Sequence, residues 1–179
     1  MRELHDIEFG SSTSGVSLLV SILIRYPEIS TVTYDPETHS LKFCFMISSA
    51  FGREEFDSFK DDFLLNLMVY WDVIRVDETK TIDISCDNLD KMMRIEVCRD
   101  LSTLTAEEIS LMVGIVTQRF GDNLVKDRCE DLPEEDVFVH EEMIRNLLAD
   151  VTDASQEKKL IGFREEGRVM VFNRTAEAN

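Results

Sequence analysis

Hydrophobic positions along the chain follow two rhythms, one of three to four residues and one of two, and the rhythms alternate in blocks. Val16, Leu19, Val20 and Leu23 recur at helical spacing. A Ser/Thr-rich run before them offers N-cap side chains, and Pro27 ends the pattern, so a helix is predicted from about Ser14 to Tyr26. Period two follows. Val32 and Tyr34 in one arm and Leu41, Phe43, Phe45 and Ile47 in the other flank Asp35-Pro36-Glu37-Thr38-His39, which predicts a hairpin. The off-face positions of the second arm include Cys44 and Met46, so this strand is expected to be central, with both faces covered.

The helical rhythm returns at Phe56, Phe59, Phe63, Leu67 and Tyr70. Gly52 stands as N-cap, Glu55 falls at the third helical position, and Phe51 is placed to staple onto Phe56. The back half of this helix is unusual. From Leu64 to Trp71 only Asn66 is polar, and one sheet face cannot cover every side of such a stretch. Leu64, Met68 and Trp71 are therefore expected either beneath another helix of the chain or at an association surface. Trp71 is the natural anchor there, because large aromatics dominate interface energetics.

A second hairpin is predicted from Ile82, Ile84 and Cys86 alternating with Thr81, Asp83 and Ser85. Asp87-Asn88 begin its turn, and Met93, Ile95 and Val97 then alternate with Arg94, Glu96 and Cys98. Thr105-Ala106-Glu107-Glu108 is a capping box for a third helix, stapled by Leu104 and Ile109 and stopped by Gly121. A loop is expected over Asp127 to Leu132. Pro133 then opens a fourth helix with the stripe Val137, Ile144, Leu147, Leu148 and Val151. Leu160–Phe163 and Val169–Phe172 close the chain as a third hairpin around Glu165-Glu166-Gly167.

Helix followed by hairpin thus occurs three times, with an extra helix between the second and third units. This order predicts an α+β fold, an antiparallel sheet with helices packed mainly on one face. Residues 1–125 would form an αββαββα core domain, and 126–179 would supply an acidic loop, helix and hairpin packed on it as part of one domain. Hairpin-built sheets leave edges to be paired or covered, and a homodimer is one way to do so.

Charge narrows the functions. Acidic residues outnumber basic ones 36 to 19 in 179 residues, for a formal net charge of −17. Twelve of the acids lie between Asp122 and Glu157, against three bases. Such a chain is repelled by nucleic-acid backbone and by anionic lipid, and no basic stretch is interleaved with aromatics, so neither is expected as a partner. The first ten residues lack the apolar run of a signal peptide. The longest apolar stretch, Val16 to Ile24, falls well short of the roughly 20 residues that span a membrane. Cys44, Cys86, Cys98 and Cys129 are widely spaced and form no CxxC pair, which favours reduced thiols and a cytoplasmic protein.

No catalytic signature survives inspection. Gly10-Ser-Ser-Thr-Ser-Gly15-Val16-Ser17 has the glycine spacing of a phosphate loop but carries Val16 where that loop needs lysine. His140-Glu141-Glu142-Met143-Ile144 lacks the second histidine of a zinc-protease helix. Cys98 shares a polar face with Arg94 and Glu96 and is the more accessible thiol expected, with no histidine near in sequence to serve as base. Paired carboxylates such as Asp61-Asp62 and Glu134-Glu135 suit solvated faces, and no EF-hand loop occurs. No catalytic residue, cofactor or metal site is assigned.

The expectation is a non-enzymatic, acidic cytoplasmic protein that binds another protein, unidentified, as a chaperone-like or regulatory module. The order of helices and hairpins is broadly similar to that of small acidic chaperones for secreted proteins, at the level of element order only. The alternative is a small-molecule or divalent-cation-dependent enzyme whose site is assembled from separated carboxylates.

Overall fold

The computed structural model describes residues 13–76, 81–126, 133–153 and 158–174. Four helices and six strands follow in the order α1 (Thr13–Arg25), β1 (Thr31–Asp35), β2 (Ser40–Ile47), α2 (Arg53–Val73), β3 (Ile82–Leu89), β4 (Met92–Asp100), α3 (Ala106–Phe120), α4 (Glu134–Asp153), β5 (Lys159–Glu165) and β6 (Arg168–Arg174). A short 3-10 turn, Gly121–Asn123, follows α3. The strands form one antiparallel sheet in the order β3-β4-β2-β1-β5-β6, so the fold is α+β. β2 is central, as its two apolar faces predict, and β5 pairs with β1, so the last hairpin continues the same sheet. The phosphate-loop-like run ends inside α1, whose first turn contains Thr13, Ser14 and Gly15; Gly10 lies outside the described residues, as does the loop expected at Asp127–Leu132.

One face of the sheet carries the core. Val32 and Tyr34, Leu41, Phe43, Phe45 and Ile47, Met93, Ile95 and Val97, Ile84 and Leu160 are buried there beneath the helices. α2 and α3 cover the β3-β4 end. They are held together by Phe59, whose ring centroid lies 5.0 Å from that of Phe120, and Phe51 packs edge-on to Phe120 at 5.2 Å. α1 covers β1, β5 and β6, and α4 lies across α1 as an outer layer, with Ile144, Leu148 and Val151 buried and an Arg25–Glu141 ion pair at 2.9 Å.

Being covered by both the sheet and α4 rotates the buried face of α1. Leu18, Leu19, Ile22, Leu23 and Tyr26 are buried, while Val16 and Val20, expected in the inner stripe, are half-buried at its margin. Contact with the sheet is close because β5 carries Gly162. A Cβ built at that position would lie 3.0 Å from Leu23 Cδ1 and 3.3 Å from Leu19 Cβ.

Turn chemistry sets two strand ends. Glu166 (φ 51°) and Gly167 (φ 75°) form a two-residue hairpin loop with both central residues left-handed, the geometry that follows strand twist. The second hairpin turns later than the Asp87-Asn88 expectation. β3 runs on through Leu89, and Asp90 (φ 57°) takes the left-handed position, which aspartate tolerates better than most residues.

Candidate functional site

Two features stand out on the α2 side of the molecule, one at the surface and one beneath it. α2 is anchored by Phe56, Phe59, Phe63 and Leu67, all buried. Its opposite side exposes Leu65 (59%), Met68 (60%), Val69 (57%) and Val73 (73%). These positions recur at three- and four-residue spacing, so they form one ridge along the helix. Acidic residues border it: the helix carries six acids and two bases, with Asp61, Asp62 and Asp72 exposed near the ridge. An open cleft of about 340 Å³ lies between α2 and α3 and is lined by Phe59, Asp62, Asn66, Ile115, Gln118 and Arg119.

Of the three residues singled out in sequence, the fold places only Met68 on this ridge. Leu64 is half-buried against the core. Trp71 is turned inward and half-buried. Its indole Nε1–H donates to Glu108 Oε2 at 3.0 Å, and the Arg99 guanidinium lies over its ring, 5.2 Å from the centroid. Leu65, Val69 and Val73 complete the ridge. The sequence signal for them is the same all-round apolarity of this stretch, which does not say which residues another helix covers.

Beneath Trp71 lies a network that sequence reading missed. Arg99 and Glu108 are both fully buried. Arg99 donates from Nε to Glu108 Oε1 (2.6 Å), from Nη2 to Glu108 Oε2 (3.2 Å) and Thr103 O (3.4 Å), and from Nη1 to Asp100 O (3.3 Å) and Asp100 Oδ1. All five guanidinium N–H groups are thereby used, which is what a buried arginine requires. Asp100 also accepts from Ser102 Oγ (2.6 Å), Thr103 Oγ1 (3.1 Å) and the Thr81 N–H (3.0 Å). Burial pushes the Asp100 carboxyl up. The Ser102 bond, the Arg99 charge and the bonds from Thr81 and Thr103 outweigh it and hold the group below its ordinary range.

The capping box at α3 is half of what was expected. Thr105 Oγ1 accepts from the Glu108 N–H at 3.1 Å, but the Glu108 carboxylate turns into the core instead of back to the cap. The signal was present. Arg99 continues the apolar alternation Met93, Ile95, Val97, and Glu108 lies four residues before Met112 on the buried side of α3. The box at α2 is also partial: Glu55 Oε2 accepts the Gly52 N–H at 3.3 Å, and glycine has no side chain to reciprocate.

The other candidate groups stay apart. Cys98 is half-buried on the sheet face opposite Arg99. Cys44 is buried and Cys86 half-buried; all three are free thiols, and Cys129 lies outside the described residues. Burial pushes the Cys44 and Cys86 thiols up. His140 sits half-buried on α4, one turn from the buried Ile144, and His39 is in the first turn. Among the described residues no three of His, Cys, Asp or Glu converge as a metal-binding set, and no helix is long and apolar enough to cross a membrane. A second open cleft, of about 500 Å³, lies between the start of α3 and α4. It is lined by apolar Leu104, Ala106 and Leu148 together with Ser102, Glu107 and Arg145. Arg145 there bonds Glu107 and Glu142, and the Arg145 bond holds Glu107 below its usual range. Comparison of the chain with family models, with curated proteins and with solved structures finds no match.

Proposed function

We propose that this chain is a non-enzymatic, cytoplasmic protein-binding module, chaperone-like or regulatory, that holds its partner on the outer face of α2. The observation that carries this reading is the ridge of Leu65, Met68, Val69 and Val73, each more than half exposed on a helix whose opposite face is core. Scattered exposed leucines need no explanation, but a contiguous apolar ridge on an otherwise acidic helix does. The partner it fits presents an apolar stripe flanked by lysine or arginine, because Asp61, Asp62 and Asp72 border the ridge. The buried network supports this role by fixing the back of the helix through Trp71. It also engages Glu108 and Asp100, carboxylates drawn from different elements that an acid/base site would otherwise use.

The test places a photo-crosslinking amino acid at Met68, and at Ser110 as control, in the full chain expressed in its own cells. A crosslinked species from position 68 alone is expected, and Met68→Asp with Val69→Asp should abolish partner recovery in a chain that remains folded. A crosslinked species of twice the protomer mass would identify a second copy as the partner. Undiminished recovery from the folded double variant, or equal crosslinking at both positions, would refute the reading.

A further inference from the structure

Two strands end the sheet, and their chemistry is opposite. β3 presents Asp83, Ser85 and Asp87 as exposed residues along its length. β6 holds Val169, Met170, Val171, Phe172 and Asn173 between Arg168 and Arg174, five successive residues without charge. Natural sheets protect their edges with charges, proline, bulges or a covering element, because an unpaired strand is a template for another. Residues 169–173 contain no charge and no proline, and among the described residues only β5 pairs with β6.

The hydrogen-bond parity of the sheet identifies which backbone groups face outward. Leu101 N–H donates to His39 O at 2.9 Å, and this pair continues the β2–β4 register. In antiparallel sheets bonded and non-bonded pairs alternate, and each residue bonds to one side only. Carried across β2, β1 and β5, that alternation makes Phe163↔Met170 and Ile161↔Phe172 the bonded pairs of the last hairpin. The two-residue loop at Glu166-Gly167 requires the same phase, with Glu165↔Arg168 bonded. The N–H and C=O groups of Val169, Val171 and Asn173 therefore point away from β5.

Side chains of β6 divide between the two faces. Val169 and Val171 are half-buried against the core on the α1 side. Met170 and Phe172 lie on the opposite face with Ile161 and Phe163. Phe172 is 55% exposed, and its ring stacks on Phe163 with centroids 5.5 Å apart. Residues 158–174 are basic for an acidic protein, with five basic and two acidic side chains in a chain of net charge −17. Arg164 turns to the end of α1 and Lys159 pairs with Asp35, while Lys158 and Arg168 are exposed.

We propose that the β6 edge receives an extended, acidic–apolar peptide segment of a partner protein as a seventh strand. Outward backbone groups of Val169, Val171 and Asn173 pair with it, and its alternate side chains lie beside Met170 and Phe172. A carboxylate at its end meets the charge of the exposed Arg168. Main-chain pairing supplies the affinity of such strand addition, and alternate side chains supply the specificity. A second copy fits less well. β6 against β6 centred on Val171 would set Arg168 opposite Arg174 of the other chain, and like charges directly opposed are destabilising. This inference does not rest on the α2 surface, and neither reading requires the other.

The probe is a fluorescein-labelled nine-residue peptide, Glu-Ser-Val-Thr-Ile-Thr-Val-Ser-Glu, with a counterpart carrying lysine at both ends. Anisotropy titration of the full chain should show saturable binding of the acidic peptide, weakened by added salt. Amide exchange at Val169, Val171 and Asn173 should be fast in the free protein and at least about tenfold slower in the complex. Val171→Pro removes an outward N–H that β5 does not use, so it should weaken binding about tenfold or more while Phe163 and Met170 amides stay protected. Should that variant fail to fold, Arg168→Glu carries the test by weakening the acidic peptide selectively. Failure of the acidic peptide to bind, preference for the lysine peptide, or amides at 169, 171 and 173 already protected in the free chain would overturn the proposal. So would a doubled mass by light scattering that Val171→Pro returns to the protomer mass, which would assign the edge to a second copy.

Discussion

The Arg99–Glu108 pair makes a prediction that separates the stability of a buried charge from its net contribution. Both side chains are fully buried, and Glu108 accepts two Arg99 bonds and the Trp71 indole N–H. Replacing Glu108 by leucine leaves a guanidinium in the core with two donors unpaired and the indole N–H without its acceptor. Breaking one side of a buried pair costs about 3–5 kcal/mol. Against the roughly 5–15 kcal/mol that folds an ordinary domain, this is close to unfolding. Arg99→Met alone should cost a similar amount, since Glu108 would keep only the Trp71 donor. The double variant behaves differently. Removing both charges also removes the desolvation penalty that each imposes, and Arg99→Met with Glu108→Leu should leave a deficit of about 1–3 kcal/mol, set by the lost Trp71–Glu108 bond and the lost Arg99 bond to the Thr103 carbonyl. Urea denaturation with tryptophan fluorescence and an unchanged m-value measures all three. A double variant as unstable as the sum of the singles would refute the reasoning, because the two sites would then be acting independently.

Three further expectations follow from the packing and the charges. Gly162→Ala puts a methyl against Leu19 Cβ and Leu23 Cδ1, and thermal unfolding should show a loss of about 1–3 kcal/mol, whereas an unchanged midpoint would mean that α1 can back away from β5 freely. Arg164 reaches from β5 to the carbonyls of Leu23, Tyr26, Pro27 and Ile29, where it caps the C-terminal end of α1; Arg164→Met should cost about 2–3 kcal/mol and raise amide exchange at the end of α1 before that of β2. Asp100 has a folded-state pKa below its unfolded value, so its stabilisation is present above the unfolded value of about 4 and is lost as pH falls through the folded one. Asp100→Asn should accordingly flatten the acid limb of the stability profile, and an identical acid limb in the variant would show that other carboxylates govern it.

Element type and order were legible in the residues because each helix and hairpin carries its own period and its own punctuation. Thr105 caps α3, the arms of the first hairpin meet around Asp35–His39, and Gly167 supplies a left-handed turn residue; each acts within a few positions of itself. The double-faced apolarity of β2 even announced a central strand. Sequence also signalled that the back half of α2 has more apolar surface than one sheet face can take. It could not say which side would remain outside, because apolar residues stand on every side of that stretch and the tertiary neighbours decide. Leu64 packs on the core and Trp71 turns to Glu108 and Arg99, while Leu65, Val69 and Val73 stay outside with Met68. The buried position of Arg99 was likewise a tertiary decision. Parity alone put it on the core face, but an arginine is tolerated there only because Glu108 on α3, Asp100 beside it and the Thr103 carbonyl converge to take all five of its donors. The place of β6 at the end of the sheet belongs to the same class. Local sequence specifies a strand, whereas the order of strands, set by which hairpins pair across the sheet, determines which one pairs on one side only among the described residues.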